Sequence, residues 1–577
     1  MQKIRSCFEF HLLMGVLFLI PGSAAAQEVL APSPIVSTIN FKWQTVVNNG
    51  VYVPGDGRKF NSYNEPSINV NQLVVFRARS KGGSGGEPAH GIFTRNMATG
   101  APLMTIFDRN TAVPQPNNLG TAFTEPPSFP RIEMWTDTIA SRGNHQPVWS
   151  YLLPDGISES RAGTTGIYTN PFGLLITGAS NLGATPGFGF FAVPGTGGIK
   201  FDVFPGTPAL TGATIVFKGN YTATDPGNPG KTISKTGAYF RTLASAPISL
   251  SDGRKLEPAG GDSPVVVIAD TDTTIPGARI KFGSVAPPSA AGRWAVFAGF
   301  DNEGNPTRGG IYRAPLDGPR PRLRRLAEIG GPVPGEKKGT VFNKLGEGVS
   351  FDGRFVAFWG AWGSETKTVT LRCPTEGNKI RNGYCRENAD NFNVPVPVHQ
   401  GIFVYDTTAE KTTVVAKSPT SFDDFVFWKF SGYVEGMGTG ESEDSSEPAR
   451  WRSSSFVAVS GLADGSLNDG TFHVAFKARK GQVVNGAYLS PVDGVYLYGG
   501  PGGGPTAAVL TTGMPGTSID PDALNDETGA PLPITKLGIE RDGFRGRSLV
   551  INAGMGAEET GWAGIYMTEV PAEMMRE

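Results

Sequence analysis

His90 directly precedes Gly91, and His399 precedes Gly401 by two positions, so the two histidines stand in nearly equivalent places. Lys235, Arg308, Asp493 and Trp562 occupy comparable positions ahead of Gly237, Gly310, Gly494 and Gly564. Together they offer imidazoles, cations, a carboxylate and an aromatic edge, a mixture suited to a sugar or an acidic polysaccharide. A polysaccharide lyase needs a proton acceptor and charge stabilisation beside the acidic carbon. His90 or His399 could supply that base, and Arg308 could neutralise a uronate carboxylate. The same residues also read as solvated loop groups, which is the weightier reading, so no catalytic residue is assigned.

Other chemistry is thinner. Asp270 and Asp272, with Asp108 and Asp56 at comparable turns, could offer oxygen ligands to calcium. No EF-hand spacing is present, and Asp serves strand-ending turns without any metal, so no cofactor is expected. No Cys-x-x-Cys pair, His-Glu-x-x-His motif or Gly-x-Ser-x-Gly elbow occurs. The run from Gly499 to Gly504 is followed by neither Lys-Ser/Thr nor a helical pattern, and reads as a hairpin tip. The acidic run from Glu441 to Glu447 reads as a solvated loop. Of the remaining histidines, His145 reads as a loop residue and His473 as a structural strand residue.

The glycines that anchor these positions belong to a repeat. A short element of Gly, a small or aliphatic residue and an aromatic appears seven times: Gly91-Ile92-Phe93, Gly166-Ile167-Tyr168, Gly237-Ala238-Tyr239, Gly310-Ile311-Tyr312, Gly401-Ile402-Phe403, Gly494-Val495-Tyr496 and Gly564-Ile565-Tyr566. Successive copies lie 75, 71, 73, 91, 93 and 70 residues apart. Such periodicity marks a repeat architecture. A β-rich run ending in an aromatic precedes most copies, as in Trp294-Ala295-Val296-Phe297 and Phe355-Val356-Ala357-Phe358. In the second unit that run is ambiguous between Arg131 to Trp135 and Pro147 to Leu153. An apolar run ending in a Pro turn follows each copy but the last, as in Ile275-Pro276-Gly277 and Met514-Pro515-Gly516. Helical periodicity is nearly absent, and short strands bounded by Gly and Pro recur throughout.

The third element is offset. One extra copy, Val53-Pro54-Gly55, precedes the first Gly-Ile-Phe strand, and none follows Tyr566. The seventh unit therefore lacks an outer strand while Thr45 to Val53 supplies a spare. Pairing the two satisfies both open edges and closes a ring. The expected fold is all-β: a seven-bladed β-propeller of four-stranded blades, with the N-terminal strand closing the last blade. Residues 41–570 form this one domain. Segment 41–57 is the outer strand of blade 7, and the blades run at about 58–116, 117–187, 188–277, 278–335, 336–419, 420–516 and 517–570, before a tail at 571–577.

The stretch Ser350-Phe351-Asp352-Gly353-Arg354-Phe355-Val356-Ala357-Phe358, with the Gly-Ile-Tyr-type strands, resembles the TolB-like (WD40-like) propeller repeats of exported bacterial proteins, a poorly characterised surface repeat family. The likeness covers most of the chain as architecture, but only blades 4 and 5 approach the motif. Ala291-Gly292-Arg293 replaces the Asp-Gly turn in one of them. These motif residues are structural, so the resemblance implies fold and compartment rather than chemistry.

The N-terminus agrees on compartment. Lys3 and Arg5 precede an apolar stretch that is purest from Leu12 to Ile20, and Ala24-Ala25-Ala26 offers a cleavage site before Gln27. That pattern reads as a signal peptide over 1–26, followed by a linker at 27–40. Its core is too short to span a bilayer. Cys7 leaves with the leader, and the pair left in an oxidising compartment, Cys373 and Cys385, reads as a disulfide. Removing Lys3, Arg5 and Glu9 takes the formal net charge from −1 to about −2. Nucleic-acid binding, which needs a concentrated basic surface, is not indicated.

Blade topology puts the residues before each Gly-Ile-Tyr and those around each Pro-Gly turn on one rim. Long insertions concentrate there: Ser80 to His90, Ser150 to Thr165, Gly219 to Thr236, Gly360 to Gln400 and Ala478 to Asp493. The chain is thus expected to be an exported, periplasmic or extracellular, monomeric binding module for a glycan or an envelope protein. A purely structural surface component comes next, and a polysaccharide lyase or hydrolase third. Fold alone promotes none of these.

Overall fold

Each repeat unit folds as an antiparallel sheet whose strands follow in chain order from the centre outward. The computed structural model describes residues 40–577 apart from 83–85, 303–304, 320, 373–390, 426–456, 462–469, 485–486, 500–505, 558–559, 572–573 and 575–577. The leader, Cys373, Cys385, the acidic run Glu441 to Glu447 and the centre of the Gly499 to Gly504 tip lie outside the described residues. Blade 4 is representative, with inner segments Ser284–Val285 and Ser289–Ala291, then strands Trp294–Phe300, Gly309–Pro315 and Arg324–Glu328. Helix is confined, among the described residues, to two single turns, Gly189–Phe191 and Gly516–Ser518.

Seven such sheets form a seven-bladed β-propeller. The innermost segments touch in sequence: Ser67–Ile68 meets Arg131–Ile132, followed by Ala209–Thr211, Ser289–Ala291, Ser350–Phe351, Val457–Ser460 and Phe544–Arg545, which returns to Ser67–Ile68. That circuit is the ring. It closes as the offset demanded, for Trp43–Asn48 pairs antiparallel with Trp562–Glu569, Thr45 opposite Tyr566 and Asn48 opposite Gly564. Val46 and Val47 of the closing strand are fully buried.

The physical reason for the Gly-x-aromatic motif is visible in every blade. The outer strand shifts register by a bulge beside the motif, for example between Ile92 and Phe93 or between Ile311 and Tyr312. The bulge brings an outer-strand carbonyl against the glycine: a Cβ on Gly310 would lie 2.0 Å from the Ala327 oxygen, and one on Gly564 would lie 2.7 Å from the Val47 oxygen. The closing strand carries the same bulge, between Thr45 and Val47. It is therefore a true outer strand. The motif aromatic packs into the blade with two others; Tyr312 lies 5.4 Å from Phe282 and 5.8 Å from Phe297, ring centre to ring centre. Equivalent trios are Phe60, Phe76 and Phe93 in blade 1 and Phe342, Phe358 and Phe403 in blade 5.

Two sequence expectations are corrected. The second strand of blade 2 is Ile139–His145, neither of the two alternatives. Arg131–Ile132 is the inner segment beside it, and Trp149–Leu152 pairs with Glu159–Ala162 in a separate hairpin. His145 accordingly ends a strand, is buried, and shares a 2.5 Å hydrogen bond with the Tyr168 hydroxyl. Four of the five long insertions are also not simple loops, Ser150 to Thr165 among them. Thr214–Asp225 continues its ladder with Asn228–Thr242 out to Asp225 opposite Asn228, and the insertions in blades 5 and 6 extend likewise. Prolonging a hairpin satisfies backbone donors and acceptors that a long loop would leave to water.

The central axis is filled by charge. Residues 540–543 of blade 7 reach across the ring: the Ile68 amide donates to the Asp542 carbonyl at 3.0 Å, the Ser350 hydroxyl to the Arg541 carbonyl at 2.6 Å, and Arg541 Nη1 to the Pro287 carbonyl at 2.9 Å. Arg131, fully buried, pairs with Glu540 and, at 2.9 Å, with Asp542. Arg545 also binds Asp542, and donates to the carbonyls of Val459 and Phe351. Residues 540–543, with Arg545, thus bond from blade 7 to blades 1, 2, 4, 5 and 6.

Candidate functional site

Where the closing strand meets blades 7 and 1, a cavity of about 170 Å³ opens. Asn49 lines it just past the closing strand, Asn61 and Tyr63 from the inner strand of blade 1, Lys536 and Asn552 from blade 7, and Trp562 from the start of the third strand of blade 7. The site exists only because the chain's two ends are joined there.

Trp562 is held by a buried carboxylate. Asp520 Oδ2 accepts from Trp562 Nε1 at 2.8 Å, from Asn48 Nδ2 at 2.8 Å and from the Tyr566 hydroxyl at 2.7 Å. Asp520 itself is fixed by a turn, its amide donating to the Gly516 carbonyl at 3.0 Å. Charge-assisted bonds of this kind are the stronger class. They leave the indole rigid and half-buried at the cavity wall.

The polar character of the lining is unusual. Asn49 Oδ1, Asn552 Oδ1 and the Tyr63 hydroxyl are buried and have no hydrogen-bond partner among the described residues. Burial, with the Asp520 carboxylate adding to it, holds the Tyr63 phenol far above its ordinary pKa, so it stays a neutral donor and acceptor. Leaving buried polar atoms unpaired costs about 1–3 kcal/mol each. The two amide oxygens accept only. Hydroxyl groups can donate to such oxygens, and carboxylates cannot.

The six residues singled out by sequence stand on six different blades, and none bonds to another among the described residues. Trp562 lines the seam cavity. Arg308 lines a second cavity, against the Ile275-Pro276-Gly277 turn. Lys235 pairs with Asp272, which also binds Lys281 at 3.2 Å. Asp493 accepts from Arg479 Nε at 2.7 Å. His399 lies 3.4 Å from Glu365 and stacks on Trp362. His90 is half-buried in its strand, and burial lowers its pKa, keeping the ring neutral at neutral pH. Of the aspartates weighed as calcium ligands, Asp108 and Asp270 accept from Thr111 and Thr273 in their own turns, and Asp56 pairs with Arg58.

Asp520, Asn49, Tyr63 and Asn552 were not legible as site residues. Asp520 follows a Pro-Gly turn that is followed by a long segment before the next strand, Ile534–Gly538, and that length is the available signal.

No protein-family model matches the chain, and no curated protein matches it in sequence. Among solved structures, an oligogalacturonate lyase in complex with manganese is similar over 94% of this chain and 99% of its own, at 8% identity and a TM-score of 0.35. A puromycin-hydrolysing peptidase of Mycobacterium tuberculosis is similar over 92% of this chain, at 9% identity and a TM-score of 0.35, and the match spans 55% of the peptidase. The N-terminal domain of Nup159 matches over 93% of this chain, at 7% identity and a TM-score of 0.30. Likeness at this level carries no argument about activity.

Proposed function

We propose that the chain is an exported, non-catalytic glycan-binding module, a propeller of the TolB-like kind, whose seam cavity takes one neutral sugar residue. The observation that carries this reading is the set of buried acceptors beside a rigid indole. A pyranose presents hydroxyl donors around its edge and an apolar C–H face, which would complement the polar groups Asn49, Asn552 and Tyr63 and the indole of Trp562. Few, convergent polar groups in a mostly preformed cavity are the usual form of a small-ligand site. A polysaccharide would enter by one residue and lie across the rim.

Isothermal titration with neutral oligosaccharides of differing sugar type tests the reading. At least one should bind, and Trp562→Ala should weaken it about tenfold or more, a change of roughly 1.4 kcal/mol. Tyr63→Phe should weaken it by a smaller factor. Absence of binding across the panel, or affinity unmoved by both substitutions, defeats the proposal. The lyase reading would rest on His90, whose neutral ring is competent as a base. It lines neither cavity. Release of unsaturated products from uronate polymers, lost in His90→Ala, would favour that reading instead.

A further inference from the structure

The second cavity has the opposite chemistry. About 310 Å³ in volume, it lies between the turn that leaves blade 3 and the outer half of blade 4. Three guanidiniums line it, those of Arg279, Arg308 and Arg325, with the carboxylate of Glu328. Arg325 is paired with Glu328 at 2.5 Å. Arg279 and Arg308 are exposed, and neither side chain has a hydrogen-bonded or ionic partner among the described residues.

A fourth donor is built into the wall. Tyr312 is fully buried, its ring clamped by Phe282 and Phe297, and its hydroxyl has no hydrogen-bond partner among the described residues. Burial raises its pKa, and Tyr312 lines the cavity together with Arg325 and Glu328. Gly277 adopts a positive φ of 83° there, and a Cβ at that position would lie 3.1 Å from Arg325 Nη1. Ile275, Ile280 and Ile329 add apolar surface to the lining.

We propose that this cavity is a second binding site, independent of the seam, for the carboxylate of an acidic sugar such as a hexuronate residue. Guanidiniums donate and never accept, and their planar fork matches a carboxylate with two parallel hydrogen bonds. Arg279 and Arg308 supply the charge, the Tyr312 hydroxyl a further donor, and the isoleucines a surface for the ring carbons. Arg325 neutralises Glu328, so Arg279 and Arg308 carry the free positive charge. The apolar isoleucine surface is what a uronate ring can use and inorganic phosphate cannot.

The test is titration of the intact protein with galacturonate and glucuronate oligomers, inorganic phosphate and a neutral oligosaccharide, at low and high salt. Uronate oligomers should bind, more weakly as salt rises, and phosphate should bind less well. Arg308→Gln and Arg279→Gln should each cut uronate affinity about tenfold, as expected for a charged hydrogen bond. Trp562→Ala should leave it unchanged, so this site and the seam stand or fall separately. Both arginines are exposed, and thermal melts of the variants should match the parent. Failure of uronates to bind, affinity indifferent to the double variant, or phosphate binding as tightly as uronate would each overturn the assignment.

Discussion

Deleting residues 41–55 is expected to abolish cooperative folding of the propeller at physiological temperature, rather than fray one blade. The deleted segment carries Phe41, Val46, Val47 and Val53, all buried. Full burial of one such side chain contributes about 1.5–3 kcal/mol, so the four exceed about 5 kcal/mol before the ladder is counted. Net stability of a domain is about 5–15 kcal/mol. The deletion also opens the Trp562–Glu569 edge and removes Asn48 from Asp520. Urea unfolding followed by circular dichroism, with limited proteolysis, checks this. A truncated protein that melts with its parent contradicts ring closure as the source of stability.

The second large effect concerns the axis. Arg131→Met should destabilise the protein by about 3–5 kcal/mol, because it leaves buried Glu540 without its main counter-charge and Asp542 with Arg545 alone. The loss should depend on pH. Burial raises the Glu540 pKa to about 7 from an ordinary 4.5, with Asp542 and Glu65 adding to the rise and Arg131 opposing it. A carboxyl whose folded pKa lies above its unfolded value contributes stability that is full below about pH 4.5. That contribution fades as pH rises through about 7. The parent should therefore lose stability across that interval, and Glu540→Gln should flatten the slope. Arg131→Met should be most damaging at the alkaline end, where Glu540 is ionised. Urea midpoints at intervals from pH 5 to about 8 decide it. An Arg131→Met penalty that is the same at both ends refutes this account of the central cluster.

The ring was readable because its signals are local and repeated. Gly310 and Gly564 must be glycine where an outer-strand carbonyl crowds them, and Tyr312 or Phe403 must follow two residues later to fill the blade. The same constraint recurs seven times, so the chain displays it as a period. Blade 2 escaped because Ile139–His145 contains Ser141, Arg142, Gly143 and Asn144 and lacks the usual apolar run. Trp149–Leu152 looked more like a strand, and is one, but in a different hairpin.

The sites were legible only in part, since they join residues with no sequence relationship. Asn48 reaches Asp520 across 472 positions, and Arg131 reaches Glu540 across 409. Position relative to the Gly-Ile-Tyr strand was enough to pick out Trp562 and Arg308, because that offset puts a side chain on the rim. It could not tell a cavity from an ion pair. Lys235 has the same offset and Asp493 lies one residue closer to its glycine, yet Asp272 and Arg479 engage them.

Amide hydrogen exchange with and without a neutral oligosaccharide tests most directly whether the joined chain ends form the binding site. Saturating ligand should slow exchange together in Trp43–Asn48, at Asn61 to Tyr63 and at the start of Trp562–Glu569, and leave blades 2 to 6 unchanged. Slowed exchange confined to those distant blades, or none at the junction under saturation, would contradict it.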